Sequence, residues 1–311
     1  STKSNQKMKP ELSNQQLLQF LTEKYGSEPQ WTPIAEGMES QVFAFVWDDQ
    51  EYILRVNSNQ SGFQKDHWCF QQFHFEELPI PEILEIGSFS PHYAYSISHR
   101  LSGITLEDSA IPILQQLTPY VSQVWRVISQ APLPSSEGFG PFNEYGHASF
   151  SSWQSFLQST IRGKNRQWDR LFASNLLDAT ALQPVMQNYL KLIEYCPEEH
   201  KLVHGDFGSN NVLTDGQKIT GVLDWDCALY GDPLFDVAGS FFWSPWLDCM
   251  RIQSEFFHKT LGNEADFALR LQCYQLRCGL EEIHENALAG NQKLMNWLLN
   301  RTMQIHQATG N

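Results

Sequence analysis

The stretch "LVHGDFGSNNVLTDGQKITGVLDWD", residues 202–226, sets oxygen-bearing side chains at the ends of two apolar runs. Asp206 and Asn211 stand five apart on what reads as a short loop, and Asp224 closes the run "ITGVLD" after a turn at Asp215 and Gly216. Read as strand, turn and strand, the segment brings a carboxylate, an amide oxygen and a second carboxylate to one end of a hairpin. Hard oxygen donors of this kind suit Mg²⁺, which keeps part of its water and takes its other ligands from phosphate oxygens. The chemistry they predict is phosphoryl transfer, with Asp206 accepting the proton of an attacking hydroxyl and Asn211 and Asp224 holding the metal. Asp226 has no such duty, and contact with substrate and bonding within the loop are both open to it.

The elements that must position these groups follow from pattern. Ser13 with Gln16 makes a capping box ahead of Leu17, Leu18 and Leu21, and Gly26 ends that helix. "QVFAFVWDDQEYILRVN" predicts a hairpin turning at Asp48 and Asp49. "GFQKDHWCFQQFHFEEL" predicts a helix, and "LPIPEILEIGSFSPHYAYSISHRL" further strands punctuated by Pro and Gly. After Gly103 the pattern turns helical, and Leu269, Cys273, Leu276, Leu280 and Ile283 mark the core stripe of a late helix.

Composition narrows the classes. A chain of 311 residues with 41% hydrophobic and 13% aromatic residues can bury a substantial core in one large domain or two lobes. A net charge of -14 argues against nucleic acid, which needs clustered Lys and Arg, and favours a cationic small molecule. No apolar run is long enough to span a membrane, the N-terminus lacks the apolar centre of a signal peptide, and a cytoplasmic protein is expected. Six cysteines without a CxxC pair predict reduced, mostly buried thiols.

Taken together, "HGDFGSNN", "VLDWD" and "GDPLFDVA" resemble the aminoglycoside phosphotransferase family, and supporting segments run from residue 52 to 247. The resemblance implies an α+β, bilobal, protein-kinase-like fold. A small β-rich N-terminal lobe over the nucleotide (1–98) would precede a larger helical lobe with catalytic and substrate-binding residues (99–311). It implies ATP or GTP as co-substrate, Mg²⁺, and a cationic aminoglycoside or aminocyclitol whose hydroxyl receives the γ-phosphoryl group. Another small metabolite as acceptor, or a nucleotide-binding pseudokinase, are the alternatives; the intact Asp206, Asn211 and Asp224 argue against the second. Oligomeric state is not legible.

Carried over residue by residue, the resemblance implies that Asp206 is the catalytic carboxylate, that His204 braces the loop and that Asp236 ties it to a helix start. Kinases usually place Lys where this chain has Arg55, and the helix position of its acidic partner falls on Asp66. Arg can grip a phosphate with two donors, and a longer base facing a shorter acid preserves the reach. Ile53 would lie against adenine, Ser98 and Arg100 mark the hinge that reads adenine through backbone groups, and Ser40 follows a phosphate-covering turn with a single glycine, Gly37. For the acceptor, Trp243, Asp248, Glu281 and Glu285 offer an aromatic wall and carboxylates suited to an amine-bearing sugar, as does Asp226.

Overall fold

The apolar alternation of "QVFAFVW" and "YILRV" is realised as a strand pair in the computed structural model, which describes residues 9–34, 40–134 and 137–308. Among these, the chain up to Ser102 with Asn143–Gly146 and Thr220–Asp226 forms one compact unit. The other comprises Gly103–Phe142, His147–Ile219 and the chain from Cys227 onward. The boundary expected at residue 98 falls inside a strand of the first unit. The turn with Gly37 lies outside the described residues.

In the first unit, α1 (Asn14–Tyr25) begins on the Ser13–Gln16 capping box and ends at Gly26 in the left-handed region. It lies over an antiparallel sheet of β1 (Gln30–Pro33), β2 (Gln41–Trp47), β3 (Gln50–Asn57), β4 (Ile83–Ser90) and β5 (Tyr93–His99), in the order β1-β2-β3-β5-β4. Leu17 and Leu21 meet Phe43, Phe45, Leu54, Val56, Tyr95 and Ile97 in one core. Burial of each such side chain is worth about 1.5–3 kcal/mol, enough to fix which face of the sheet turns inward. Between β3 and β4 lies α2 (Gln60–Phe73), which stops short of the expected Leu78. His74 Nδ1 accepts the Ile80 N–H at 3.1 Å and Phe75 bridges Leu78, a turn that replaces the helix ahead of Pro79.

The second unit is mainly helical, and short strands recur in it beyond the strand, turn and strand read at residues 202–226. Short strands β6 (Ile104–Thr105), β7 (Phe139–Phe142), β8 (Ala148–Phe150), β9 (Lys201–Val203), β10 (Val212–Thr214), β11 (Ile219–Val222, running into the first unit) and β12 (Leu229–Gly231) are threaded among its helices. Outside the apolar runs of 202–226, strands of two to four residues carry too little alternation to announce themselves. The sheet β8-β7-β12-β9 holds β9, from which the motif loop departs. The helices are α3 (Ile111–Gln130), α4 (Trp153–Arg162), α5 (Trp168–Ala173), α6 (Ala179–Leu192), α7 (Leu234–Trp243), α8 (Asp248–Leu261), α9 (Phe267–Ala289) and α10 (Met295–Gln307). On α9, Cys273, Leu276, Leu280 and Ile283 are fully buried, whereas Leu269 is half-buried and Leu271 lies deeper. All six cysteines are free thiols, Cys227 exposed and Cys278 half-buried. No described helix is long and apolar enough to cross a membrane.

The β2–β3 turn places Asp48 and Asp49 at φ 51° and 58°, in a two-residue loop where the left-handed region favours glycine. Asp49→Gly should therefore stabilise the protein by about 0.5–1 kcal/mol, read as a higher denaturant midpoint at unchanged slope. A lowered midpoint would show that the Asp49 side chain contributes more than its backbone costs.

Candidate active site

β9 delivers the chain into His204, Gly205 and Asp206, where two consecutive peptide N–H groups converge on one carboxylate. The His204 N–H donates to Asp236 Oδ2 at 2.9 Å and the Gly205 N–H to Oδ1 at 2.7 Å. Asp236 sits buried in the first turn of α7, so the loop is tied to a helix start. Burial pushes its carboxyl up to about 7, against the pull of the two N–H groups, with the Asp206 charge adding to the rise. Gly205 has φ 89°, and a Cβ there would lie 2.2 Å from the Cys227 carbonyl oxygen, so no other residue fits.

His204 is fully buried, and its Nδ1 accepts the Asp206 N–H at 3.3 Å, a brace on the backbone. Asp206 itself is exposed. Asn211 is buried beside it and donates Nδ2–H to the Asp206 carbonyl at 2.9 Å and to Oδ2 at 2.8 Å. Both amide hydrogens being directed at Asp206, the Asn211 Oδ1 is the end left to accept or to ligate. From α8, Gln253 Nε2 donates to the Gly208 carbonyl at 2.7 Å.

A residue that motif reading passed over anchors the same helix. Asp232, 1% exposed, takes Arg270 Nη2–H at 2.8 Å, the Tyr274 hydroxyl at 2.6 Å and the Leu234 N–H at 3.1 Å. Its signal was the "GDP" ahead of α7, but its partners lie some forty residues downstream on α9.

The first unit carries a second constellation. Arg55 on β3 forms an ion pair with Asp66 on α2, as the register suggested, and its Nη1 lies 4.0 Å from Asp224 Oδ1. Burial raises the Asp66 carboxyl, while the Arg55 guanidinium works against that rise. The second oxygen of Asp66 accepts the Trp225 N–H at 2.6 Å. Asp224, with φ 58°, keeps a half-exposed carboxylate. Asp226 Oδ2 accepts Asn59 Nδ2–H at 3.0 Å, so its carboxylate is engaged within the loop. Ile53 pairs with Ser98 across β3 and β5; Ser40 Oγ accepts Asn57 Nδ2–H at 3.1 Å; and the Arg100 N–H donates to the Glu51 carbonyl at 3.0 Å.

Among the described residues, no cluster of three or more His, Cys, Asp or Glu could hold a metal unaided. One carboxylate and one amide oxygen are nevertheless the donor chemistry for Mg²⁺ that completes its shell with water and phosphate, and Asn211 in the second unit and Asp224 in the first are each of that donor type.

The acceptor candidates divide. Glu281 is committed elsewhere: its oxygens take Arg166 Nη1–H and Nη2–H at 2.7 and 2.6 Å and the Thr160 hydroxyl at 3.0 Å, with Arg277 Nη2 at 3.2 Å. Burial alone would raise its carboxyl, but Arg277 and Arg166 hold it below its ordinary value. A helical wheel cannot show this, because Arg166 comes from outside the helix. Glu285 is exposed and lines an open groove of about 540 Å³ with Arg166, Lys164 and His284. Trp243 stacks on Trp297 with centroids 5.2 Å apart and planes 5° apart, and the half-exposed Trp246 meets Trp297 edge-on. Asp248 forms an exposed pair with Arg251 at 2.9 Å. Glu282, on the same helix, is half-buried, and burial first, then Glu285, Asp206 and Glu281, push its carboxyl up to about 7.

Comparison with known proteins agrees with this geometry. The profile of the phosphotransferase enzyme family matches residues 30–268. Hygromycin-B 4-O-kinase of Escherichia coli is 38% identical over 286 residues, 91% of this chain and 82% of the relative. A thermostable mutant of aminoglycoside phosphotransferase APH(4)-Ia, in a ternary complex with ADP and hygromycin B, superposes with a TM-score of 0.89. It is 36% identical and covers 95% of this chain and 99% of its own. The crystal structure of APH(4)-Ia also gives 0.89, at 34% identity over 96% and 100%. The kinase-like α+β fold is thereby shown.

Asp236→Asn retains one acceptor oxygen where two N–H groups need one each, so a buried donor is left unpaired. The expected cost is about 1–3 kcal/mol of stability, with a further loss of kcat that outlasts correction for the folded fraction. Full activity and an unchanged melting temperature would show that Asp236 does not organise the loop.

Proposed function

The chain belongs to the phosphotransferase enzyme family, and from that premise we propose that it transfers the γ-phosphoryl group of ATP to a hydroxyl of hygromycin B. The observation that carries this reading is the 38% identity to Hygromycin-B 4-O-kinase across 91% of the chain. The acceptor O–H attacks the γ-phosphorus; the new O–P bond forms as the bond to the β-phosphate oxygen breaks, and ADP leaves. Asp206 orients the hydroxyl and accepts its proton, with Asn211 holding that carboxylate in place. Asn211 and Asp224 would hold Mg²⁺, which neutralises charge on the phosphates when bound. Arg55, oriented by Asp66, supplies positive charge to the phosphates, and Ile53, Ser98, Arg100 and Ser40 contribute to nucleotide binding. Such a reaction belongs in the cytoplasm, where ATP is supplied.

The acidity of the chain, at -14, draws a polycationic acceptor. Trp243 and Trp246 offer a face for a sugar ring, and Glu282 and Glu285 offer carboxylates for its amines; Asp248 is a weaker candidate, being already paired.

The enzyme incubated with ATP, Mg²⁺ and hygromycin B should give the phosphorylated antibiotic, detected by mass spectrometry. Asp206→Ala should lower kcat by at least about 10²-fold while ATP binding persists. Transfer to a different acceptor but not to hygromycin B would overturn the acceptor and keep the chemistry. Undiminished turnover in Asp206→Ala would overturn the mechanism.

A pH dependence follows from Glu282. Its carboxyl is neutral below about 7 and ionised above, and only the ionised form attracts an ammonium group. kcat/KM for the cationic acceptor should therefore rise through about pH 7, and Glu282→Gln should flatten that rise. Stability runs the opposite way: with the folded value raised, the contribution is present below about 4.5 and is lost as pH rises through about 7. A persisting inflection in Glu282→Gln would assign it to another group.

A further inference from the structure

Asp224 adopts φ 58°, a left-handed conformation uncommon outside glycine and tolerated best by Asp and Asn. The three residues 224–226 are gripped from one place, the start of α2. Asp66 takes the Trp225 N–H at 2.6 Å, Lys65 Nζ donates to the Asp226 carbonyl at 2.7 Å, and Asn59 Nδ2 donates to Asp226 Oδ2 at 3.0 Å. Lys65 is only 4% exposed, an expensive place for an ammonium group whose work could be done at the surface. Asn59 serves two masters: its Oδ1 caps α2 by accepting the Gly62 N–H at 3.1 Å, while its amide reaches across to Asp226. The approach is close enough that a Cβ on Gly62 would fall 2.7 Å from Asn59 Nδ2 and 3.0 Å from Asp226 Cγ.

We propose that Asn59, Lys65 and Asp66 form a clamp that sets the backbone of Asp224–Asp226 and so aims the Asp224 carboxylate at the metal, with Asn59 and Lys65 as positioning residues. The proposal rests on the reading of Asp224 as a Mg²⁺ ligand. It gives Asp226 a task within its own segment in place of contact with the acceptor. The clamp acts before any ligand arrives, because every bond in it is made by protein atoms alone. It also explains why the motif continues for two residues past the metal-binding carboxylate.

The test separates clamp from cap. Asn59→Asp keeps an oxygen that caps α2 but sets a carboxylate against that of Asp226. Asp226→Asn on the same background restores a donor and an acceptor with their order reversed. Two quantities are read: amide hydrogen exchange of Trp225 in protein free of nucleotide and metal, and the MgCl₂ concentration for half-maximal phosphorylation of hygromycin B. In Asn59→Asp the exchange should quicken about tenfold and the half-maximal MgCl₂ rise about five- to tenfold, with kcat at saturating MgCl₂ within about twofold of the parent. The double variant should recover most of both losses, a rescue that a purely structural role for the cap does not give. Should Asn59→Asp fold poorly, Asp226→Asn alone carries the same readouts with smaller shifts.

Unchanged exchange and MgCl₂ dependence in Asn59→Asp would overturn the clamp, as would a double variant no better than the single. A rise in the KM for hygromycin B with no change in exchange would assign Asp226 to the acceptor instead. Asp224→Ala distinguishes this failure from that of the underlying reading. If it leaves the MgCl₂ dependence intact, the metal assignment falls and the aiming role falls with it, whatever the exchange shows.

Discussion

The carboxylate of Asp66 is where the strand, helix and Asp224 segment of the first unit are held together. One oxygen holds Arg55 of β3 and the other holds the Trp225 N–H, so a strand, a helix and the segment bearing Asp224 share a single buried group. Burying that charge is costly, and the cost is offset only because both oxygens are occupied by strong donors. Losing either partner leaves a buried charge half-satisfied. The replacement of the usual lysine by Arg55 fits the same geometry, since a planar guanidinium can face Asp66 with one nitrogen and lie 4.0 Å from Asp224 with another.

The other unit repeats the device. Asp236 is buried in order to gather two consecutive N–H groups, and Asp232 is buried in order to hold Arg270, Tyr274 and the first turn of α7. Against these organising carboxylates stand Asp206 and Asp224, which are exposed. The division has a physical basis: a carboxylate that shapes backbone from within the protein needs its lone pairs used, while an exposed one stays within reach of solvent.

Close approach of backbone sets the remaining limits. Gly205 is obligatory because the Cys227 carbonyl lies where a Cβ would be. Asp224 is left-handed without being glycine, and Asp is among the side chains that tolerate this region best. Strain of this kind, about 1–3 kcal/mol, is tolerated where neighbouring contacts over-determine the conformation.

The sequence by itself determined the chemistry and the local scaffolding. The motif that carries Asp206, Asn211 and Asp224 was legible as a family resemblance, because residue types and spacing belong to the sequence alone. The capping box at Ser13 and the hairpin at Asp48 and Asp49 were legible because periodicity and cap chemistry act over a few residues, and the pairing of Arg55 with Asp66 was implied by the family resemblance. Long-range partners were not. Glu281 reads as an available acid on a helix until Arg166 arrives from outside that helix. Asp226 reads as a spare carboxylate until Asn59, 167 residues away, donates to it. The short strands β6, β7, β8 and β12 owe their existence to pairing partners more than to their own residues. Burial completes the difference, since the raised carboxyls of Asp236 and Glu282 come from the protein packed around them, which no local pattern records.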